Sequence, residues 1–250
     1  MTDGAPLRVL VTGAGQGIGR AVAADFAASG AAIGIIGRDA GKLAALGAEL
    51  EPAHVVPRAA DVSDREALTA AVGDIAAELG GLDVLVNNAG IAHWVRIDTP
   101  LEEAERLWAE VLATNLTGAF LASLACIPHL RRPGGRIVNV SSVTAFLGGH
   151  GGSLAYAASK AGVHGLAYAL VRELSPLGIT VNTVAPGFID TAFNADFSAE
   201  RRAEIIGETP LARTGSVDDV VAAVRYLASP GASFVTGEIL HVNGGRLFGR

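Results

Sequence analysis

The sequence predicts an α/β fold in which helices cover both faces of a doubly wound parallel sheet, built as a single domain spanning residues 1–250. Three observations carry this expectation. Short aliphatic or β-branched runs alternate with Ala-rich stretches along most of the chain. A Gly-rich turn directly follows the first apolar run. No Pro/Ser-rich linker, low-complexity tract or repeat divides the chain, and with 50% of its residues hydrophobic the composition supports one large core.

In chain order, strands are expected at residues 7–11, 32–36, 54–59, 84–86, 136–140, 180–184 and 239–242. Such short aliphatic or β-branched runs suit strands buried on both faces. Helix starts are expected from capping chemistry at Ser63 with Glu66, Thr99 with Glu102 and Ser216 with Asp219, with Pro100 at a first helical position. Stops are expected at Gly207 and at Ser229-Pro230-Gly231. Residues 111–127 differ from the other helices: Leu112, Leu116, Phe120, Leu121, Leu124 and Ile127 wrap most of the circumference. A helix lying on a sheet needs one apolar stripe, so the second stripe points to a subunit interface.

Composition excludes several functions. The formal net charge of -6, with Arg131-Arg132 and Arg201-Arg202 the only adjacent arginines, leaves no basic cluster for nucleic acid. The single Cys126 rules out a disulfide framework within the chain, and the scattered histidines lack zinc-site spacing, so no metal is expected. Residues 1–6 lack an apolar signal core and no apolar stretch reads as long and uninterrupted enough to span a membrane. These readings together point to a cytoplasmic protein.

Chemistry is concentrated in a few motifs. Thr12-Gly13-Ala14-Gly15-Gln16-Gly17-Ile18-Gly19 lies between the first strand and a helix expected to begin near Gln16. Glycine leaves no side chain between the backbone and a pyrophosphate, and a helix N-terminus offers free N–H groups to that anion. A Rossmann-type dinucleotide site is the expected use of such a turn. Asn87-Asn88-Ala89-Gly90 follows the fourth strand, where the carboxyl edge of the sheet would border the cofactor. Ser141-Ser142 then precedes Tyr156-Ala157-Ala158-Ser159-Lys160. Tyr and Lys at i and i+4 share a helix face, about 5–6 Å apart at Cβ, and an ammonium close by would favour the phenolate. That makes Tyr156 a candidate proton donor or acceptor.

These ordered motifs, with Asp61-Val62, Asn115, Pro186-Gly187-Phe188-Ile189-Asp190-Thr191, Thr236-Gly237-Glu238 and Val242-Asn243-Gly244-Gly245, resemble the short-chain dehydrogenase/reductases of about this length, including the 3-oxoacyl-(acyl-carrier-protein) reductases and ketoreductases. The resemblance implies an oxidoreductase interconverting a ketone and a secondary alcohol by hydride transfer. Tyr156 would be the general acid/base, Ser142 would orient the substrate oxygen, and Lys160 would hold the nicotinamide ribose and lower the Tyr156 pKa. Asn115 would position a water linking Lys160 to solvent. Gly13, Gln16, Gly17, Ile18, Gly19, Arg38, Asn88, Ala89, Gly90, Pro186 and Gly187 would contact the cofactor, with Asp61 and Val62 at the adenine and Ile189 and Thr191 at the carboxamide.

The interval from Ser142 to Tyr156 is one residue longer than the family pattern and is filled by Gly148-Gly149-His150-Gly151-Gly152. The extra length is expected to alter the loop over the substrate, and Ser141 stands beside Ser142 as an alternative hydroxyl. At the end of the second strand, NAD-dependent relatives tend to carry an acid; Gly37 occupies that position, followed by Arg38. NADP(H) is therefore preferred over NAD(H), although Gln16 does not supply the second basic group seen in many NADP-selective relatives.

Trp94, His150, Phe188 and Phe193, with His93, Phe146 and Phe197 near them, sketch a pocket suited to an apolar or aromatic ketone or a 3-oxoacyl compound. A dehydrogenase of a sugar, polyol or steroid-like alcohol would share the same catalytic residues. A silent dinucleotide-binding sensor would have no need of Asn115, Ser142, Tyr156 and Lys160 together. Residues 191–207 are expected to form a substrate lid, with Gly187 and Gly207 as hinges. A homotetramer is expected through the 111–127 helix and the small residues Ala157, Ala161 and Gly165. An acyl carrier protein is a conceivable partner through Arg132 and Arg172, but neither belongs to a larger patch.

Overall fold

A computed structural model describes residues 6–149, 151–194 and 197–248. The strands are β1 (Arg8–Thr12), β2 (Ala32–Gly37), β3 (Val55–Ala59), β4 (Val84–Asn87), β5 (Arg136–Val140), β6 (Thr180–Pro186) and β7 (Ile239–Val242). They form one parallel sheet in the order β3-β2-β1-β4-β5-β6-β7. Each expected strand is present within two residues of its sequence-derived bounds. The order reverses between β1 and β4, and that switch point opens a crevice at the carboxyl ends of the strands.

Helices cover both faces. One face buries Val22, Phe26, Leu43, Leu46, Val224 and Leu227 from α1 (Gly17–Ala28), α2 (Ala40–Glu49) and α9 (Val217–Ala228). The other buries Leu68, Ile75, Ala122, Leu170 and Leu174 from α3 (Arg65–Leu79), α5 (Gly118–Cys126) and α7 (Leu154–Leu174). Between α3 and α5 in sequence lies α4 (Leu101–Leu112), which runs into α5 through a π-helical turn at Ala113–Thr117. Two short elements complete the set: α6 (Thr144–Leu147) after β5, and α8 (Ala199–Gly207) before α9.

Local chemistry at the helix ends partly follows expectation. Ser216 and Asp219 form a reciprocal capping box, α9 ends at Ala228 before the Ser229-Pro230 turn, and α8 ends at Gly207. The start of α3 is different. Asp64 caps it, accepting from the N–H groups of Glu66 and Ala67, because Ser63 is held by Asp61, whose Oδ1 accepts from Ser63 N at 2.9 Å and Ser63 Oγ at 2.7 Å. Pro100 is the N-cap of α4 rather than its first helical residue, and Thr99 Oγ1 instead closes a turn by accepting from Arg96 N at 2.9 Å.

The joined helical stretch Leu101–His129 is long and apolar enough by composition to cross a membrane, contrary to the reading of the sequence. Of the polar residues that interrupt the apolar run, Thr114, Thr117 and Ser123 are near neutral in hydropathy and only Asn115 is strongly polar, so the average stays high. Here the stretch is part of the α/β domain: Asn115 and Ser123 are buried in hydrogen bonds, Ala122 and Cys126 pack into the core, and Phe120 (41%) and Leu124 (46%) remain exposed.

Candidate active site

The crevice at the switch point is a cleft of about 620 Å³ running from Gly37 and Arg38 past the Gly-rich turn to Ser142 and Tyr156. Its floor is made by close packing of β1 on β4. A Cβ on Gly13, which has φ +66°, would lie 2.7 Å from Ala89 Cα. Asn88 locks the two strand ends, its Nδ2 donating to Thr12 O and Gly13 O, both at 3.1 Å. A Cβ on Gly19 would fall 2.3 Å from that same Nδ2, so Gly19 serves the packing of α1 and does not line the cleft, unlike the other expected cofactor positions.

The first turn of α1 faces the cleft with its N-cap, Gln16, making no side-chain cap bond. Its N–H groups and the positive end of the helix dipole are therefore available to an anion. A bare-backbone cradle, an uncapped helix N-terminus and an elongated cleft fit a dinucleotide.

Gly37, Arg38 and Asp39 border one end of the cleft, opposite Asp61 and Val62. Asp39 is committed to capping α2, its Oδ1 accepting from Lys42 N at 3.0 Å. Lys42 is the residue that reading the sequence missed. Its Nζ donates to Gln16 Oε1 at 3.2 Å, and it lines the cleft beside Arg38. The second cationic group absent from the Gly-rich turn is thus delivered from α2. The signal was local: Asp39 three residues before Lys42 marks a helix start, which puts Lys42 in the first turn beside the carboxyl end of β2.

At the other end, β5 and α7 bring together Ser142, Tyr156 and Lys160, three of the expected catalytic residues. Ser142 and Tyr156 both line this end of the cleft, where the Ser142 hydroxyl favours the Tyr156 phenolate, and Ser142 Oγ accepts from Thr144 N at 3.1 Å. Ser141 points elsewhere: its hydroxyl bonds Lys160 O at 3.1 Å and His164 Nε2 at 2.7 Å, so Ser142 is the serine that meets the tyrosine. Lys160 Nζ donates to Val140 O at 2.8 Å and lies 5.9 Å from the centroid of the Tyr156 ring.

The electrostatics differ from the simple i, i+4 expectation. Burial pushes the Tyr156 phenol up to about 12, against the Ser142 hydrogen bond, and burial pushes Lys160 down to about 8. Removing both groups from water outweighs their mutual influence, because the ammonium is tied to a backbone carbonyl and is itself desolvated. The arrangement keeps Tyr156 protonated at neutral pH, ready to donate.

Asn115 sits in the π-helical turn with its side chain fully engaged. Oδ1 accepts from Ile91 N at 2.8 Å, while Nδ2 donates to Ile91 O at 2.9 Å and Ser159 Oγ at 3.0 Å. It approaches the cleft only across Gly90, where a Cβ would lie 3.3 Å from Lys160 Nζ and 3.4 Å from Asn115 Oδ1. What the side chain visibly does is hold the loop after β4 against α7.

The remaining wall is aromatic. Trp94 and Phe197 ring centroids are 5.9 Å apart, Phe188 stacks on Phe197 at 5.4 Å, and Phe193 lies 5.8 Å from Tyr156. His93 also lines the cleft. Phe146 does not; it packs between His164 of α7 and His241 of β7. His150 lies outside the described residues. Thr191 to Asn194, Phe197 and Ile205 cover the cleft from the expected lid segment. Of the two expected hinges, Gly187 is closely packed, a Cβ there meeting Asn243 Cα at 2.8 Å, whereas Gly207 has open space around it.

Comparison with known proteins agrees with this geometry. Residues 13–246 match the family described as enoyl-(acyl carrier protein) reductase. The chain is 40% identical over 238 residues to the 3-oxoacyl-(acyl-carrier-protein) reductase FabG of Vibrio cholerae, covering 94% of this chain and 95% of that protein. It is likewise 40% identical over 241 residues to FabG of Escherichia coli, with 94% and 95% covered. Among solved structures, a short-chain dehydrogenase/reductase described as a glucose/ribitol dehydrogenase from Brucella melitensis superposes with a TM-score of 0.91 at 33% identity, covering 97% of each chain. A short-chain dehydrogenase from Burkholderia cenocepacia in complex with NADP gives 0.89 at 36% identity, covering 96% of this chain and 97% of that one. The chain belongs to the short-chain dehydrogenase/reductase family of oxidoreductases.

Proposed function

We propose that this oxidoreductase interconverts a ketone and a secondary alcohol, preferring NADP(H), with Tyr156 as general acid/base. The observation that carries the reading is the convergence of Ser142, Tyr156 and Lys160 on one end of a cleft whose other walls fit a dinucleotide. When bound, the nicotinamide cofactor supplies the hydride in reduction and takes it in oxidation. Ser142 holds the substrate oxygen, and Tyr156 donates the proton that converts the reduced carbonyl to an alcohol or accepts it in reverse. Lys160 supports the nicotinamide ribose, and Asn115 acts as a positioning residue through the loop after β4. Gln16, Gly17 and Ile18 receive the pyrophosphate, and Asp61 and Val62 bracket the adenine.

Preference for NADP(H) is supported by Gly37 in place of an acid, by Arg38 and Lys42 side by side, and by the NADP carried by the Burkholderia relative. The aromatic wall of Trp94, Phe188, Phe193 and Phe197 favours an apolar or aromatic ketone or a 3-oxoacyl compound over a polyol, which would need hydrogen-bonding partners there. The FabG relatives support the same choice. Turnover with NADPH and NADH should be measured for an aryl ketone, a 3-oxoacyl thioester, an enoyl thioester and a polyol. Reduction of the ketone or 3-oxoacyl compound is expected. Reduction of the enoyl thioester alone would assign the enzyme to carbon–carbon double bonds, and turnover of the polyol alone would overturn the substrate class.

A further inference from the structure

On α7, behind the end of β5, lies a buried histidine, His164, that no step above uses. Ser141 Oγ is 3.1 Å from Lys160 O and 2.7 Å from His164 Nε2. The carbonyl can only accept, so the Ser141 hydroxyl donates to it, and Oγ must then accept from His164. His164 therefore carries a proton on Nε2. Its surroundings keep the ring otherwise unprotonated: burial, then His241 from β7 and Lys160 from its own helix, push its pKa down to about 4.

The same ring faces Phe146 at 4.8 Å, and Phe146 meets His241 edge-on at 5.0 Å. Phe146 belongs to α6, whose first residue, Thr144, donates its N–H to Ser142 Oγ. His164 thus grips the chain on both sides of Ser142, by a hydrogen bond at the residue before it and by ring packing four residues after it. Lys160 adds a third tie by donating to Val140 O.

We propose that His164 is a positioning residue for the carbonyl chemistry: through Ser141 and Phe146 it sets the Ser142 hydroxyl against Tyr156. The inference rests on the reading of Ser142 and Tyr156 as the reacting pair. Without the His164 clamp, the end of β5 can shift against α7, and the support that the Ser142 hydroxyl gives the Tyr156 phenolate weakens.

The test compares His164→Leu, His164→Gln and Ser141→Ala with the unaltered enzyme and with Tyr156→Phe. His164→Leu and Ser141→Ala are expected to lower kcat about ten-fold, on the scale of one buried hydrogen bond, with KM and NADPH affinity within about two-fold. The rise of alcohol oxidation with pH should move to higher pH in both. His164→Gln, whose amide can still donate to Ser141 Oγ, should recover most of kcat and the original pH profile. Unchanged kcat and pH profile in Ser141→Ala, which keeps the packing and so remains informative if His164→Leu does not fold, would overturn the proposal. So would a loss that follows melting temperature alone and is not rescued by Gln. Full activity in Tyr156→Phe would instead remove the reading of the reacting pair beneath it.

Discussion

Replacing Arg38 and Lys42, singly and together, separates recognition of the 2′-phosphate from recognition of the rest of the dinucleotide. Arg38 is exposed at the cleft end and its planar guanidinium can engage a phosphate through two charge-assisted bonds. A net gain of about 1.5–3 kcal/mol for a hydrogen bond to a charged group predicts that Arg38→Ala weakens NADPH by roughly 10- to 150-fold. Lys42 is a flexible point charge already tethered to Gln16 at 3.2 Å. For such an exposed charge about 1 kcal/mol is appropriate, so Lys42→Ala should cost about five-fold. Both act on one phosphate, so the double variant should lose less than the product of the two.

NADH affinity should change by less than about two-fold in every case, and the NADPH differences should shrink with added salt. Gly37→Asp completes the set. A Cβ at Gly37 would meet Leu43 Cδ2 at 3.5 Å, an ordinary contact, so the carboxylate can be introduced without strain and should shift preference toward NADH. Fluorescence titration of both reduced cofactors measures all of this. Equal losses for NADPH and NADH in Arg38→Ala, or a higher kcat/KM with NADH in the unaltered enzyme, would refute the reasoning.

Other outcomes follow from the same structure. Tyr156→Phe should keep NADPH binding nearly intact while turnover collapses, and Lys160→Ala should impair both, as binding titrations and steady-state rates will report. Burial lowers Lys160 to about 8 from an unfolded value near 10.5, so between those values the unfolded chain binds more protons and stability contributed at this site rises with pH. Lys160→Met removes that slope, so any stability advantage it holds over the parent at pH 7 should narrow as denaturant melts are repeated from pH 8 to 10.5. The exposed side chains of Phe120, Leu124 and Tyr168, with the small exposed Ala161 and Gly165, should be covered in a homotetramer; light scattering at micromolar concentration should give four chains, and Phe120→Asp should reduce that number. Amide exchange in residues 191–194 and 197–207 should slow on binding cofactor and substrate, and equal exchange with and without ligands would argue against a lid.

The sequence by itself determined the architecture and the chemical vocabulary. Apolar runs such as 33–36 and 84–86 can be satisfied only between two layers, so the parallel sheet was legible from pattern alone. The Gly-rich turn and the Tyr156–Lys160 spacing were legible because their geometry is local, set by backbone permissiveness and helical periodicity. Asp64 displaced Ser63 as a cap because a competing hydrogen bond from Ser63 to Asp61 is equally local and propensity does not rank the two. What only the tertiary structure decided depends on groups far apart in the chain. Ser142 rather than Ser141 faces Tyr156 because the end of β5 meets α7 in one register. Lys42 reaches Gln16 from a different helix, Phe146 packs against His164 and not into the cleft, and burial reverses the expected effect on the Tyr156 phenol. Proximity and desolvation are properties of the packed molecule, and no local pattern carries them.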